Sequence, residues 1–180
     1  MRILFLFLTY GLCSLKAQEI KIDLQNIRLE YSNTEKALST YTQKTGEAFG
    51  LSTEGGIVTA YQNGEEIKKI KAELFGETGK SHFYMYYLNN ELIFVLGTRH
   101  QYNRPIYSDS EIAKEYGDDQ VFDESKTEIE ENRYYFKNNE LIYWLGNEKK
   151  LIDPVKEVWS SKTKDLIAFS ETLKATISEY

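Results

Sequence analysis

Residues 86–97 read YYLNNELIFVLG, and residues 135–146 read YFKNNELIYWLG. Eight of the twelve positions are identical, and the two copies begin 49 residues apart. Each copy is an aromatic run, an Asn-Asn pair and an apolar run. Because asparagine tolerates the positive φ angles of a type I′ turn, the pattern predicts a β-hairpin that the chain uses twice.

A weaker third copy lies upstream at residues 61–67, YQNGEEI, where Asn63-Gly64 is the predicted turn. Strands joined by two-residue turns must run antiparallel. The predicted strands are residues 57–62, 66–74, 83–88, 91–96, 133–136 and 140–145. We therefore expect an antiparallel meander of about six strands. Three lysines in residues 66–74 predict that this strand lies near a solvent-facing edge.

The turn positions also predict which residues face each other. Counting outward from Asn89-Asn90 places Tyr87 opposite Leu92 and Met85 opposite Phe94. In the other copy the same count places Arg133 opposite Trp144, where a cation–π contact would form. Both faces of the central hairpin are apolar, so each face is either covered or a binding surface.

Helices are predicted on either side of the strands. In residues 25–44 the positions Ile27, Tyr31, Leu38 and Tyr41 lie on one stripe, which leaves Glu35 outward. A second helix is expected after Asp153-Pro154, a capping residue followed by proline. Its apolar stripe is Val155, Val158, Trp159, Leu166, Phe169, Leu173 and Ile177. The expected fold class is α+β, with both helices packed on the sheet.

The first 17 residues have the layout of a secretory signal peptide. Arg2 precedes a short apolar run that ends near the small residue Ala17, the expected cleavage point. Residues 18–180 would then form a single α+β domain without cysteine. A buried N-terminal strand or helix is one alternative. Lipid anchoring at Cys13 is another, although Leu12 is a poor residue before a lipidated cysteine.

The charge of the chain limits its partners. It carries 22 Lys and Arg against 28 Asp and Glu, a net charge of −6, which becomes −8 when Arg2 and Lys16 leave with the leader. Acidic chains without a basic stripe are poor ligands for nucleic acid. We expect an exported protein in the periplasm or at the cell surface, whose partner is another envelope protein or a carbohydrate.

The connection at residues 97–108 holds the candidate binding residues Arg99, His100, Tyr102, Arg104 and Tyr107. Arginine and tyrosine are the residue types that dominate binding hot spots. The alternative is a crossover loop whose tyrosines pack on the edge of the sheet.

No pattern of catalytic, cofactor-binding or metal-binding residues is recognisable. The sequence has no GxSxG or HExxH motif, and the predicted mature chain has no thiol. His82 and His100 are expected at strand ends as surface histidines. The acids Asp118, Asp119, Asp123 and Glu124 lack the spacing of a calcium loop, which favours a solvated segment.

The Tyr-strand, Asn-Gly, strand pattern resembles the hairpin repeats of MORN-variant proteins from bacteria, over the three hairpins. The whole chain is similar to small uncharacterised exported proteins of Gram-negative bacteria. Neither resemblance brings catalytic residues or a ligand. We therefore expect a non-enzymatic binding or structural module of the envelope. The alternatives are an inhibitor-like or immunity-like protein, and an envelope hydrolase acting on sugar or peptide through paired carboxylates such as Glu91 and Glu140.

Overall fold

The structure is a computed structural model that describes the backbone of residues 3–178 and the side chains of residues 18–178. The side chains of the predicted leader, including Arg2 and Cys13, therefore lie outside the described part, as does Tyr180. The elements are α1 Ile3–Ala37, β1 Thr42–Glu47, β2 Gly56–Asn63, β3 Glu66–Gly76, β4 Gly79–Leu88, β5 Glu91–Gln101, α2 Ser110–Glu115, β6 Glu128–Lys137, β7 Glu140–Leu145 and α3 Lys156–Ser178. No helix in the described part is both long and apolar enough to cross a membrane.

The strands form one antiparallel sheet in the order β1-β2-β3-β4-β5-β6-β7, a meander without crossovers. The predicted α+β class is confirmed. The number of strands is seven rather than about six, because β1 lies where the end of a helix and a loop were predicted. The helix ends at Ala37, and the threonine-rich segment that follows pairs along β2. Thr45 and Thr59 face each other across that pair, with hydroxyl oxygens 3.3 Å apart.

The turns follow the chemistry of the Asn-Asn pairs. The φ angles are 52° and 64° at Asn89 and Asn90, and 51° and 60° at Asn138 and Asn139. The predicted positive φ values are confirmed. The third turn is formed by residues 64–65 rather than by Asn63-Gly64, and only Gly64, with φ 62°, takes the left-handed conformation.

The register departs from the prediction beyond the turns, because each hairpin contains a β-bulge. Tyr87 faces Leu92 as expected, but Ile93 is an extra residue, so Met85 faces Val95 instead of Phe94. A bulge places two successive side chains on one face. It therefore reverses the predicted face of every residue beyond it in the strand. The bulge therefore turns both Ile93 and Phe94 toward α1.

The same bulge at Ile142 makes the predicted pairing of Arg133 with Trp144 wrong. Trp144 pairs with Tyr134, with ring centroids 5.1 Å apart, while Arg133 pairs with Leu145. Arg133 and Trp144 consequently point to opposite faces of the sheet. The cation near the Trp144 ring is Lys162, with its Nζ 5.9 Å from the centroid.

The sheet is the middle layer of three, with α3 on one face and α1 on the other. The α3 face holds a buried core that reaches from Ala48, just after β1, to Leu141 on β7. The core on the α1 face is smaller and rich in aromatic residues. Both apolar faces of the central hairpin are thus covered by helices. In the predicted stripe of α3, Leu166, Leu173 and Ile177 are buried, whereas Val155 and Val158 are about half exposed.

The prediction that Glu35 points outward is wrong. One carboxylate oxygen of Glu35 accepts hydrogen bonds from Lys69 Nζ at 2.6 Å and from the Tyr86 hydroxyl at 2.9 Å. Lys69 is 5% exposed, so its strand is not a solvent-facing edge, and β3 lies inside the sheet. Its ammonium lies 5.2 to 5.7 Å from the ring centroids of Tyr61, Tyr84 and Tyr86. The aromatic rings and the carboxylate together replace water around this buried cation.

Candidate functional site

Two of the five predicted binding residues lie on a strand rather than in a loop. The long connection was expected to begin at Gly97, but β5 continues to Gln101 and pairs there with both β4 and β6. Because side chains alternate along a strand, Arg99 points to the α3 face and His100 to the α1 face. Both residues line the cleft at the ends of β4 and β5, but their side chains leave the strand on opposite faces.

The other three predicted binding residues hold the loop between β5 and β6 in place. The Tyr102 ring packs edge-on against Phe122, with centroids 5.2 Å apart, and the Tyr107 hydroxyl donates to Glu77 at 3.2 Å. The backbone of the loop also donates from Tyr102 and Ile106 to the turn between β3 and β4. This arrangement matches the alternative of a crossover loop packed on the end of the sheet.

Arg104 closes the same loop through an ion pair with Asp118. Its Nη2 donates to Asp118 Oδ1 at 3.2 Å, and its Nε donates to Oδ2 of the same carboxylate at 2.5 Å. The hydrogen bond from Arg104, together with one from the backbone N–H of Gln120, lowers the pKa of Asp118. Asp123 accepts from Ser125, which lowers its pKa as well. These acids therefore stabilise the folded loop.

Arg99 lies at the open end of the α3 face, where it lines three clefts. One cleft, of about 500 Å³, runs along the ends of β4 and β5 beside the turn between β3 and β4. A second, of about 320 Å³, lies under α3, and a third, of about 710 Å³, follows β6 past Glu128 and Glu130. Such volumes are in the range of small-ligand sites, and Arg99 is the residue common to all three clefts.

The cleft under α3 has aromatic walls and a charged rim. Phe83 and Phe169 form one wall, with ring centroids 4.9 Å apart, and Tyr134 forms another. Gly97 lies between them, and a Cβ atom at that position would be only 3.4 Å from the Phe83 ring. Burial raises the pKa of Tyr134 to about 12, so its hydroxyl stays protonated at neutral pH. The rim residues are Arg99, Glu130, Lys162 and Asp165.

Hydrogen bonds orient the polar groups around Arg99. Its Nη2 donates to Gln101 Oε1 at 3.2 Å, and Gln101 Nε2 donates to the Thr78 carbonyl at 3.0 Å. On β6, Asn132 accepts from Trp144 Nε1 at 2.9 Å and donates to Glu130 at 3.3 Å. The site thus presents guanidinium, amide and carboxylate groups in fixed orientations, as recognition of a polar ligand requires.

His82 and His100 come together on the opposite face, with ring centroids 5.1 Å apart. Burial is the main cause that lowers the pKa of both histidines, and for His82 the neighbouring His100 adds to it. The register brings them together, since His82 on β4 pairs with Thr98, two residues before His100 on β5. Among the side chains that the structure describes, no three His, Cys, Asp or Glu residues are grouped as metal ligands.

Three residues of the site were not predicted from the sequence: Glu130, Asn132 and Phe169. Glu130 and Asn132 precede residues 133–136, over which the strand was predicted, but β6 begins at Glu128. Alternation of side chains along residues 128–134 would have placed Glu130, Asn132 and Tyr134 on one face. Phe169 was recognised only as part of a helical stripe, since nothing local tells which end of the sheet a helix residue covers.

Comparison of the chain with protein-family models, with curated proteins and with solved structures found no match. The resemblance of the hairpins to MORN-variant repeats therefore stays a prediction.

Proposed function

We propose that this chain is an exported, non-enzymatic binding module of the bacterial cell envelope, and that Arg99 marks its ligand site. The observation that supports this function is the position of Arg99, on the border of three clefts at the open end of the α3 face. The apolar leader with expected cleavage after Ala17 supports export. The packed α1 residues from Glu19 onward would be retained in the mature chain.

The ligand class that fits the site best is an oligosaccharide. Planar amide, guanidinium and carboxylate groups of Arg99, Gln101 and Glu130 can exchange hydrogen bonds with neighbouring hydroxyl groups. The rings of Phe83 and Tyr134 in the adjoining cleft offer an apolar surface for the face of a sugar ring. Both signs of charge are present on the rim, which suits a neutral, hydroxyl-rich ligand better than a strong anion.

The test is binding of envelope glycan fragments to the purified protein, measured by calorimetry. Arg99→Ala and Gln101→Ala should each weaken binding by about tenfold, because each removes hydrogen bonds to the ligand at the exposed rim of the clefts. Lys150→Ala, an exposed cation outside the clefts, is the matched control and should leave the affinity unchanged. Equal affinity of all three variants, or no binding of any fragment, would refute the proposal.

A hydrolase is the second candidate, because Glu130 and Asp165 line the same cleft. Glycosidases act through two carboxylates on either side of the scissile bond. The residues first considered for this role, Glu91 and Glu140, are exposed beside hairpin turns and line none of the three clefts at Arg99. Turnover of a bound glycan that is abolished by Glu130→Gln would establish the hydrolase and exclude the binding module.

A further inference from the structure

A separate cleft of about 390 Å³ lies between α1 and the sheet, on the face opposite to Arg99. Its walls are apolar and aromatic: Ile27, Tyr31, Phe94, Leu96 and Tyr135. Its polar lining consists of Ser32 and two arginines, Arg28 and Arg133. An apolar pocket with a few charged groups is the usual form of a small-molecule site.

The cleft exists because α1 is fixed at two distant points. Around the middle of α1, Asp23 and Glu19 pair with Lys137 on β6 at 2.9 Å and 3.1 Å. Near the C-terminal end of α1, Glu35 pairs with Lys69 on β3. Between these points the helix crosses the sheet, and Tyr31 rests edge-on against Tyr86 and Phe94. Leu96 and Arg133 on the sheet line the space that remains open next to α1.

The two arginines give this apolar cleft a positive rim. Arg133 is half-buried, and Glu131 accepts from its Nε at 2.8 Å. Its two terminal nitrogens make no hydrogen bond to another group within residues 18–178. Arg28 is exposed and has no ion-pair partner in the same part of the chain. A net positive site in a protein of net charge −6 is selective for anions.

We propose that this cleft binds an amphipathic carboxylate, with its apolar body against Tyr31, Phe94 and Leu96 and its carboxylate on Arg133 and Arg28. The guanidinium fork matches the two oxygens of a carboxylate, and charge-assisted hydrogen bonds are about twice as strong as neutral ones. The apolar walls require a hydrocarbon or aromatic body, which inorganic anions lack. This site is independent of the proposed function, since it lies on the other face and shares no residue with it.

The experiment titrates the full-length protein with dodecanoate, kept below its micellar concentration, and follows binding by calorimetry and tyrosine fluorescence. Dodecanol is the matched uncharged probe, and dodecyl phosphate tests the other common anionic head group. We expect dodecanoate to bind at least tenfold more tightly than dodecanol, because only the carboxylate can pair with the arginines. Dodecyl phosphate should bind no more tightly than dodecanoate.

Three variants test the assignment to this cleft. Arg133→Gln should weaken dodecanoate binding about tenfold, and Arg28→Gln, at an exposed position that cannot unfold the protein, should weaken it by a smaller factor. Leu96→Trp should abolish binding by filling the cleft, with thermal melting to verify that each variant is folded. Arg99→Gln on the opposite face is the control and should bind normally. Equal affinities for dodecanoate and dodecanol, tighter binding of dodecyl phosphate, or unchanged binding in both Arg133→Gln and Arg28→Gln would each overturn the proposal.

Discussion

The two faces of this sheet are built from the same strands but are covered in different ways. Among the side chains of residues 18–178, sixteen buried hydrophobic residues form one core on the α3 face, and six form the core on the α1 face. α3 contributes Leu166, Leu173 and Ile177 along its length, so its apolar stripe follows the sheet. In the described part of α1, the buried apolar residues are Leu24 and Ile27. Beyond Ile27, most side chains of the helix are polar or partly exposed. A helix whose stripe stops halfway leaves a cleft, and one whose stripe continues seals a core.

The two faces also differ in whether their buried polar groups are neutral or charged. Beneath α3, the Tyr87 hydroxyl and Ser170 Oγ are 2.8 Å apart, a neutral pair that needs no solvation of charge. Beneath α1, the corresponding contact is the pair of Lys69 with Glu35, whose side chain is still 34% exposed. The α1 face therefore depends on charge and partial solvation where the α3 face depends on apolar burial.

The largest expected effect comes from matched Leu→Ala substitutions on the two faces. Leu173→Ala should lower the free energy of unfolding by about 2 to 5 kcal/mol, because the residue is fully buried and leaves a cavity. Leu24→Ala on the α1 face should lower the free energy of unfolding by about 2 kcal/mol, the low end of this range. The loss is smaller because α1 lies beside a cleft and can shift to fill part of the cavity. Urea unfolding of both variants measures the difference. Equal losses would mean that the two faces are packed equally well.

A medium effect is expected from Lys69→Met, which leaves the Glu35 carboxylate without its cation and with only the Tyr86 hydroxyl as a donor. The free energy of unfolding should fall by about 1 to 2 kcal/mol, less than for a fully buried pair, because Glu35 can regain water. Adding Glu35→Leu should restore part of the loss. Lys71→Met, which breaks a half-exposed pair with Glu73, is the control, with an expected change of about 0.5 kcal/mol or less. A double-mutant cycle without coupling between positions 35 and 69 would contradict this explanation.

The smallest expected effect is a pH dependence from His82 and His100 on the open part of the α1 face. Burial lowers both pKa values in the folded protein, so the unfolded chain takes up protons first as the pH falls. The histidines therefore oppose folding only below about pH 6.5, the ordinary histidine pKa. Melting temperatures at pH 7.5 and pH 5.5 should differ by a few degrees more in the wild type than in His82→Gln/His100→Gln. Titration of the carboxylates contributes equally to the melting temperatures of both proteins. If the two melting temperatures depended on pH identically, the two histidines would have no effect on stability.

Much of the architecture was predictable because turn chemistry is local. An Asn-Asn pair between an aromatic and an apolar run specifies a tight hairpin, whatever the rest of the chain does. The two Asn-Asn turns and the glycine-containing turn after β2 make antiparallel hairpins, which indicate a meander, and the helical stripes indicate a layer against it. The candidate site was predictable only in part. Arg99 was singled out by its residue type, but the prediction grouped it with Tyr102, Arg104 and Tyr107, which hold a loop.

The sequence by itself determined the two Asn-Asn turns, the antiparallel pairing of the hairpins and the α+β class of this protein. The tertiary structure decided the register beyond each turn, because the bulges at Ile93 and Ile142 depend on which apolar side chains a helix is there to cover. That register places Arg133 at the cleft beside α1 rather than on Trp144. The burial of Lys69 and the inward position of Glu35 were decided in the same way, since a charged residue in a strand or helix points to solvent unless a partner from another element neutralises it.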